Sequence, residues 1–373
     1  MGLSSFFKSF SSSGALGIDI GTASIKMVEL TREGGRFKLL NYGIFQLENQ
    51  EEAIQTNQKA LKLPDEAIIW GIREVIRQAK IKSTTAVASI PSYSTFSTVI
   101  SLPYLSEKDL AKAIPFEAKK YIPLPLNDVV LDWSIINLVS TSRPNSALPA
   151  DSSAMSANQA KAVPTVDVFL AAVPRHEAER YKKIASGAGL TLSALELENI
   201  GLIRALLGND QSPMAVVNIG GRSTSILVVD KGYERISHTY EVGGFEITKS
   251  IARSMGVSLA RAEELKKTVG LASDHVKVVS EAMLTLIDMM VFETKKTIST
   301  YETSKNTKIQ KVILVGGLAN MPKFLEYFKN KLGVEVALGN PFARLVYPKE
   351  ISNLANELGP VFAIAIGLAM RGI

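Results

Sequence analysis

The chain has 373 residues, of which 46% are hydrophobic, and it carries a formal net charge of +6 at pH 7. This length and composition predict a folded protein of about two or three domain-sized units and exclude an intrinsically disordered chain. The absence of cysteine excludes a disulfide framework, and the three histidines lie far apart in sequence, which argues against a zinc site or a serine–histidine–aspartate triad.

The positive charge is spread along the chain without a basic tail or a nucleic-acid-binding module, so we expect no nucleic-acid partner. Mild attraction to an anionic membrane surface is the simpler interpretation of this net positive charge. The sequence shows no secretory signal and no apolar run of about 20 residues. We expect Phe6, Phe7 and Phe10, beside Lys8, to lie in a flexible or protein-docked terminus, with contact to a membrane surface as the alternative.

The first predicted elements are two strands joined by a loop of small residues. Apolar runs flank residues 17–26, where Gly21, Thr22 and Ser24 belong to the turn of a β-hairpin. Backbone N–H groups and hydroxyls in such a loop can approach a phosphate closely. Asp19 lies just before the turn, where a carboxylate can hold Mg²⁺ through water. The alternative is an ordinary hairpin whose aspartate accepts the hydrogen bonds of the turn.

A small inserted domain is predicted after residue 94, where a new series of predicted strands and helices begins. Strand, helix, strand, strand and helix follow each other within about 90 residues, and the first helix contains Pro115, which should kink or break it. Residues 141–162, rich in Ser, Ala, Pro and Asn, carry too little apolar surface to fold and are predicted to be a disordered loop. The predicted elements up to this point are strand 37–47, helix 64–81, strands 86–91 and 96–102, helix 106–121, extended segment 122–126, strands 129–138 and 166–172, and helix 174–186.

The opening pattern recurs at residues 216–229. Asn218 lies near the end of one apolar run, a loop with Gly220, Gly221 and Ser223 follows, and a second apolar run returns. Internal duplication of this kind predicts two phosphate loops that face each other across a cleft.

A third glycine-rich turn follows a set of predicted helices at 245–254, 258–269 and 276–303. The predicted strand 311–315 leads into Gly316 and Gly317, and Asn320 precedes a helix that we expect to begin at Pro322. A strand end, a glycine pair and a helix N-terminus together favour close backbone approach to a nucleotide.

Three glycine-rich loops in this order resemble the superfamily of actin, Hsp70 and the sugar kinases, in which two loops hold the phosphates and the third holds the adenosine. The piece inserted before residue 190 resembles the extra subdomain of FtsA-like members. The resemblance implies an α/β, actin-like (ribonuclease H-like) two-lobed ATPase fold with an FtsA-like, 1C-type inserted subdomain. Its implied parts are subdomain 1A (1–93, 188–210 and 356–373), the 1C-like insert (94–187), subdomain 2A (211–245 and 306–355) and the helical subdomain 2B (246–305).

Within this superfamily the chain resembles the PilM family of type IV pilus assembly proteins. The resemblance rests on Gly17-Ile18-Asp19-Ile20-Gly21 with Ser24-Ile25-Lys26, and on the segment from Phe116 to Pro123 with Leu124-Pro125-Leu126. It covers the chain apart from residues 141–162.

The resemblance implies a role for individual residues. Asp19 and Asn218 would orient Mg²⁺ through water, while Glu263 and Lys266 would contact the ribose or adenine, unless they form only a solvated ion pair on a helix face. The residues implied to bind the nucleotide are Gly21, Thr22, Ser24, Lys26, Gly220, Gly221, Ser223, Gly244, Glu263, Lys266, Gly316, Gly317 and Asn320. The residues implied to bind a partner are Phe116, Lys120, Tyr121, Ile122 and Pro123.

The second phosphate loop departs from the superfamily pattern, which usually has aspartate where this chain has Asn218. An amide carbonyl can reach a hydrated Mg²⁺, but it adds no charge and is a much poorer base. Because phosphoryl transfer depends on metal positioning and an oriented water, we expect ATP binding with at most slow hydrolysis. The sequence assigns no catalytic base.

The resemblance implies a cytoplasmic scaffold of the type IV pilus assembly complex that is peripheral to the inner membrane. Its implied partners are the N-terminal tail of PilN, other pilus assembly proteins and a second copy of the chain. The tail would lie in a groove between the first subdomain and the insert, with the segment after Tyr121 as a wall. The alternatives are an FtsA-like cell-division filament protein, whose C-terminal amphipathic anchor we do not expect here, and a small-molecule kinase, which would need an aspartate near the second loop.

Overall fold

The computed structural model describes residues 14–47, 64–139, 164–272 and 277–373. The predicted loop 141–162 and the N-terminal phenylalanines lie outside these ranges. The described strands are β1 (Ala15–Ile20), β2 (Ser24–Glu33), β3 (Arg36–Gln46), β4 (Thr85–Ile90), β5 (Phe96–Pro103), β6 (Val129–Val139), β7 (Thr165–Pro174), β8 (Thr191–Leu197), β9 (Met214–Ile219), β10 (Thr224–Asp230), β11 (Tyr233–Tyr240), β12 (Lys311–Val315), β13 (Glu335–Leu338) and β14 (Leu345–Val346). The described helices are α1 (Asp65–Gln78), α2 (Glu107–Ala118), α3 (Arg175–Gly187), α4 (Glu198–Leu206), α5 (Gly244–Met255), α6 (Leu259–Thr268), α7 (Lys277–Lys305), α8 (Phe324–Leu332) and α9 (Ala355–Arg371).

Several helix boundaries differ from the sequence prediction, and α1 ends at Gln78, three residues before the predicted end at residue 81. The expected start of α8 at Pro322 is wrong, because Lys323 adopts a left-handed conformation with φ of 63° and the helix begins at Phe324. Helix α2 continues through Pro115 and ends at Ala118, earlier than predicted. Its start agrees with the prediction, since the Ser106 side chain accepts a hydrogen bond from the backbone N–H of Asp109.

The two large sheets share one strand order. The first sheet runs β14-β3-β2-β1-β4-β8, and the second runs β11-β10-β9-β12-β13. In each, two antiparallel hairpins are followed by parallel pairing, β1 with β4 in the first sheet and β9 with β12 in the second. The repeated order is the structural form of the duplication in the sequence, and it places the loops after β1 and β9 at equivalent sheet edges.

Helices α4 and α9 lie between the two sheets. One buried core combines Val87 of the first sheet and Val216 of the second with Leu202 of α4 and Leu368 of α9. Helices α5, α6 and α7 cover the other face of the second sheet, where Met283 and its neighbours on α7 form the core that the sequence predicted. The two sheets therefore form two lobes that pack on a shared helical pair.

The insert is a three-stranded sheet, β5-β7-β6, with α2 on one face. Helix α3, which the sequence division placed in the insert, packs instead on the first sheet. Its buried residues Tyr181 and Ile184 share a core with Ile68 and Ile72 of α1. No linker marks the passage from the insert to the first lobe in the sequence, because β7 ends at Pro174 and α3 begins at Arg175.

Among the described helices, none combines the length and apolar character needed to span a bilayer.

We predict that Gly367→Ala destabilises the fold by about 1 to 3 kcal/mol, whereas Gly201→Ala on the facing helix does not. A Cβ at Gly367 would overlap the carbonyl oxygen of Gly201, but a Cβ at Gly201 would lie 3.4 Å from the nearest atom, the carbonyl oxygen of Ile364. The measurement is the free energy of unfolding in urea. Equal effects of the two substitutions would show that the helices do not approach as closely as described.

Candidate functional site

A cleft of about 560 Å³ separates the two lobes. All of the residues that the sequence assigned to the nucleotide and the metal line it. They come from β1, β2 and β9, from the loops after β1, β9 and β12, and from α5 and α6. The structure thus brings together residues that are up to about three hundred positions apart in the chain.

The first loop is a tight turn with a buried carboxylate beside it. The backbone N–H of Gly21 donates to the carbonyl of Ser24 at 3.1 Å. Asp19 is 5% exposed; Lys26 Nζ lies 3.2 Å from its Oδ2, and the Ser89 hydroxyl donates to its Oδ1 at 3.3 Å. The antiparallel register of β1 and β2 places Asp19 directly opposite Lys26, which explains the ion pair.

The second loop repeats the same turn. The backbone N–H of Gly220 donates to the carbonyl of Ser223 at 2.9 Å, and the N–H of Gly244 donates to the carbonyl of Gly220 at 2.9 Å. Asn218, at the end of β9, is 9% exposed and occupies the position that Asp19 holds on β1. The loops approach closely, since a Cβ on Gly221 would lie 3.0 Å from the hydroxyl of Thr22.

The donor set fits a hydrated Mg²⁺. Asp19 offers a carboxylate and Asn218 an amide carbonyl, both oxygen donors, and both line the cleft. Mg²⁺ keeps several waters and is usually held by one or two carboxylates together with phosphates. These two residues suit such an ion when it enters with a nucleotide.

A buried ion pair forms one wall of the cleft. Lys266 is 7% exposed and donates to Thr248 Oγ1 at 2.9 Å, to the Gly244 carbonyl at 3.2 Å and to Glu263 Oε2 at 2.5 Å. Burial lowers the pKa of Lys266, and the nearby ammonium groups of Lys266 and Lys267 lower the pKa of Glu263 against the opposing effect of its own burial. The pair is therefore part of the cleft wall and not a solvated helix face.

The third loop is tied to helix α9. Gly316 has φ of 92°, and its N–H donates to the Pro360 carbonyl at 2.9 Å. A Cβ on Gly317 would meet no atom within 4 Å, so the backbone here is open to a ligand. The Asn320 amide donates to the Glu357 carbonyl at 2.6 Å.

Glu198 is a cleft residue that the sequence analysis missed. It begins α4 directly after β8, and it accepts a hydrogen bond from the backbone N–H of Ser92 at 3.1 Å. Burial raises the pKa of its carboxyl from 4.5 to about 7, and the charge of Asp19 acts in the same direction. The available signal was its place at the carboxyl end of a parallel strand, the same sheet edge that carries the loop after β1.

Tyr93 and Arg222 were also missed, and they meet across the mouth of the cleft. The guanidinium carbon of Arg222, in the loop after β9, lies 5.1 Å from the ring centroid of Tyr93 in the first lobe. Arg222 also pairs with Glu241 at 2.9 Å. The contact joins the two lobes directly.

A chain of hydrogen bonds leads from the cleft to the insert. The Ser92 hydroxyl donates to Asn199 Oδ1 at 2.8 Å, and the Asn199 amide donates to Glu234 Oε2 at 2.9 Å. The hydroxyl of Ser97, on β5 of the insert, donates to Glu234 Oε1 at 2.6 Å. Burial raises the pKa of Glu234.

The residues predicted to bind a partner divide into two groups. Phe116 is 70% exposed and Tyr121 is 45% exposed, and Lys120 and Pro123 are exposed beside them. Ile122 is buried in the core of the insert, so its side chain positions this segment and cannot contact a partner.

Comparisons with known proteins bear on the family and the fold of the chain. A family described as type IV pilus assembly protein PilM matches residues 17–373. A solved structure described as the PilM-PilN type IV pilus biogenesis complex is similar with a TM-score of 0.79 and 22% identity, over 97% of this chain and 99% of that chain. The ethanolamine utilization protein EutJ from Carboxydothermus hydrogenoformans is similar with a TM-score of 0.56 and 18% identity, over 100% and 94% of the two chains.

A shorter likeness links the chain to the cell division protein FtsA of Bacillus subtilis (strain 168). The two are 32% identical over 87 residues, which is 23% of this chain and 20% of that relative. The match thus spans about a fifth of the curated relative. The solved structures, which cover nearly the whole chain, confirm the actin-like fold class predicted from the sequence.

We predict that Glu198→Gln stabilises the protein at pH 8 by about 2 to 3 kcal/mol more than at pH 5. The folded state favours the protonated carboxyl, so this group contributes stability below pH 4.5 that is lost as the pH rises through about 7. Glutamine does not ionise, so the variant keeps its stability as the pH rises. Its side-chain oxygen can still accept the hydrogen bond from the backbone N–H of Ser92. The measurement is the free energy of unfolding at both pH values.

The matched control is Glu264→Gln, because Glu264 is exposed on α6 and pairs only at the surface with Arg261. It should change stability by less than about 1 kcal/mol at either pH. A pH-independent effect of Glu198→Gln would contradict the raised pKa.

Proposed function

The chain belongs to the PilM family of type IV pilus assembly proteins, and we propose that it is an actin-like scaffold that binds ATP with Mg²⁺ and the N-terminal tail of PilN. One observation carries the nucleotide part of this proposal, namely the convergence of three glycine-rich loops on one cleft. Turns of small residues line the cleft on two sides and an open glycine backbone lines it on the third, which allows close approach of a phosphate.

Each loop has a distinct task in this proposal. Asp19 and Asn218 orient the hydrated Mg²⁺, and the loops at 21–24 and 220–223 hold the phosphates through backbone N–H groups and hydroxyls. Lys26, already beside Asp19, adds a positive charge near the phosphates. Glu263 and Lys266 contact the ribose or adenine, and residues 316–320 cradle the adenosine.

Hydrolysis in this site is slow or absent in our proposal. Glu198 lines the same cleft and has a pKa of about 7, so it is partly ionised at neutral pH and would be the available group to accept a proton from a water there. Asn218, however, adds no negative charge to hold the metal in the transition state. Binding energy is therefore used to hold ATP between the lobes and to stabilise one setting of the scaffold.

The partner part of the proposal rests on family membership and on an exposed apolar segment. Phe116 and Tyr121 project beside Lys120 at the end of α2. The segment that follows reaches the first lobe, where Arg175 Nε donates to the Asn127 carbonyl at 2.8 Å. An extended tail can bind along such a surface through side-chain pockets. By binding PilN and other pilus assembly proteins, the chain would be held at the inner face of the cytoplasmic membrane.

We predict that Asp19→Ala weakens ATP–Mg²⁺ binding by about ten- to a hundredfold, because a charge-assisted contact to the hydrated metal is lost. Isothermal titration calorimetry measures the dissociation constant. The control Asp288→Ala removes an exposed aspartate side chain on α7. An unchanged affinity in Asp19→Ala would contradict the assignment of the cleft.

We predict that Phe116→Ala combined with Tyr121→Ala weakens binding of a PilN N-terminal tail peptide by about tenfold or more, as for exposed aromatic anchors of an interface. Phe292→Ala is the matched control, because Phe292 is 61% exposed on the distant helix α7. Titration is performed with and without ATP–Mg²⁺. A wild-type chain that fails to bind the peptide in both conditions would overturn the scaffold proposal.

A further inference from the structure

Arg222 and Tyr93 line the cleft and connect its two lobes. Arg222 lies in the turn after β9 of the second lobe, and Tyr93 lies in the short turn Ser92–Ser94 that follows β4 of the first lobe. The guanidinium carbon is above the tyrosine ring, 5.1 Å from its centroid. Because a guanidinium carries five N–H donors at its edge, an arginine above a ring keeps donors for an anion beside it.

The turn that holds Tyr93 is the counterpart of the third loop in the repeated strand order. Strand β4 pairs with β1 as β12 pairs with β9. Each of the two segments is also tied to the start of an interlobe helix, Ser92 to Glu198 of α4 and Asn320 to Glu357 of α9. Since the loops after β1 and β9 approach each other and α4 packs on α9, the two repeats face each other in an approximately twofold arrangement.

This arrangement shows at which end of the cleft Arg222 and Tyr93 meet. In a twofold arrangement, counterparts lie at opposite ends of the space between the repeats. The turn that holds Tyr93 therefore lies at the end of the cleft away from residues 316–320. In the proposed function those residues hold the adenosine, so the nucleotide extends from them between the two phosphate loops. Its terminal phosphate is then the part nearest to Arg222 and Tyr93.

Arg222 also differs from the other described cations of the cleft in its acidic partner. Four such cations line the cleft, namely Lys26, Arg222, Lys266 and Lys267. The lysines pair with Asp19 or with Glu263, which line the cleft themselves. Arg222 pairs at 2.9 Å with Glu241, whose side chain is 62% exposed. An exposed ion pair contributes little, so the guanidinium can exchange this partner for a phosphate.

We propose that Arg222 makes the site prefer a nucleoside triphosphate to the diphosphate, by donating to the terminal phosphate while Tyr93 supports its guanidinium. ATP and ADP differ only in the terminal phosphate and its charge, and a guanidinium can donate two parallel hydrogen bonds to a phosphate. The inference rests on the proposed nucleotide site and deepens it, because it names the side chain that sets the specificity of that site.

A purely structural role for Arg222 makes a different prediction. If Arg222 only joined the lobes through Tyr93, its loss would weaken every nucleotide that is held between the lobes to the same degree. A contact to the terminal phosphate is lost only for the triphosphate. The ratio of the two affinities therefore separates the two roles.

The test is isothermal titration calorimetry of the full chain with ATP–Mg²⁺ and with ADP–Mg²⁺. We expect the wild type to prefer ATP, and Arg222→Gln to weaken ATP binding by about tenfold or more, because a charge-assisted hydrogen bond is lost. Binding of ADP should change by less than about threefold. The control Arg261→Gln removes an exposed cation of the second lobe that pairs with Glu264, and it should keep the wild-type preference.

Two further variants test the chemistry of the contact. Arg222→Lys keeps the charge but loses the paired donors, so its preference for ATP should lie between that of the wild type and that of Arg222→Gln. Tyr93→Leu removes the ring that supports the guanidinium and should reduce the preference by about threefold.

An equal loss for ATP and ADP in Arg222→Gln would overturn the inference and leave nucleotide binding in place. The same holds for a wild type without preference, for an unchanged ATP affinity in Arg222→Gln, and for a lysine variant with no more preference than the glutamine variant. A wild-type chain that binds neither nucleotide would instead overturn the proposed nucleotide site, and this inference with it.

Discussion

The contact between α4 and α9 sets the distance between the two lobes. Gly367 packs against the backbone of Gly201, where no side chain fits, and Gly17 of β1 packs against the backbone of α9 in the same way. Because both sheets bury apolar residues against these helices, the sheets cannot move apart without opening the shared core. The width of the cleft therefore depends on glycines that lie outside it.

A second constraint connects the cleft with the insert. Glu198 and Asn199 are consecutive at the start of α4, and Ser92 bonds to both of them just before the chain enters the insert. Glu234 then joins Asn199 to Ser97. A shift of the insert against the cleft would leave buried groups without partners, at a cost of about 1 to 3 kcal/mol for each group. The insert and the cleft are therefore rigidly coupled, although separate parts of the chain build them.

The sequence sufficed for features that depend on local pattern. The loops at 21–24 and 220–223 were recognised because small residues interrupt apolar strands, and their duplication predicted two facing loops. Glu198, Tyr93 and the first-lobe position of α3 were missed, because they depend on which strand ends share a sheet edge and which helix faces meet. The burial of Ile122 was missed for the same reason, since sequence alone does not show which side of an extended segment faces the core.

The two repeated hairpins differ at the positions that we propose to face the metal. On β1 and β2 the paired positions hold Asp19 and Lys26, whereas the equivalent pair on β9 and β10 holds Asn218 and Ser225. At these paired positions the first loop therefore carries an ion pair that can be shared with a metal and a phosphate, while the second offers only an amide and a hydroxyl. A cleft in which only one of the two facing loops supplies a carboxylate for a metal can hold a nucleotide between its lobes but stabilises the charge of phosphoryl transfer poorly. This asymmetry fits the proposed role, in which ATP is bound and hydrolysed slowly at most.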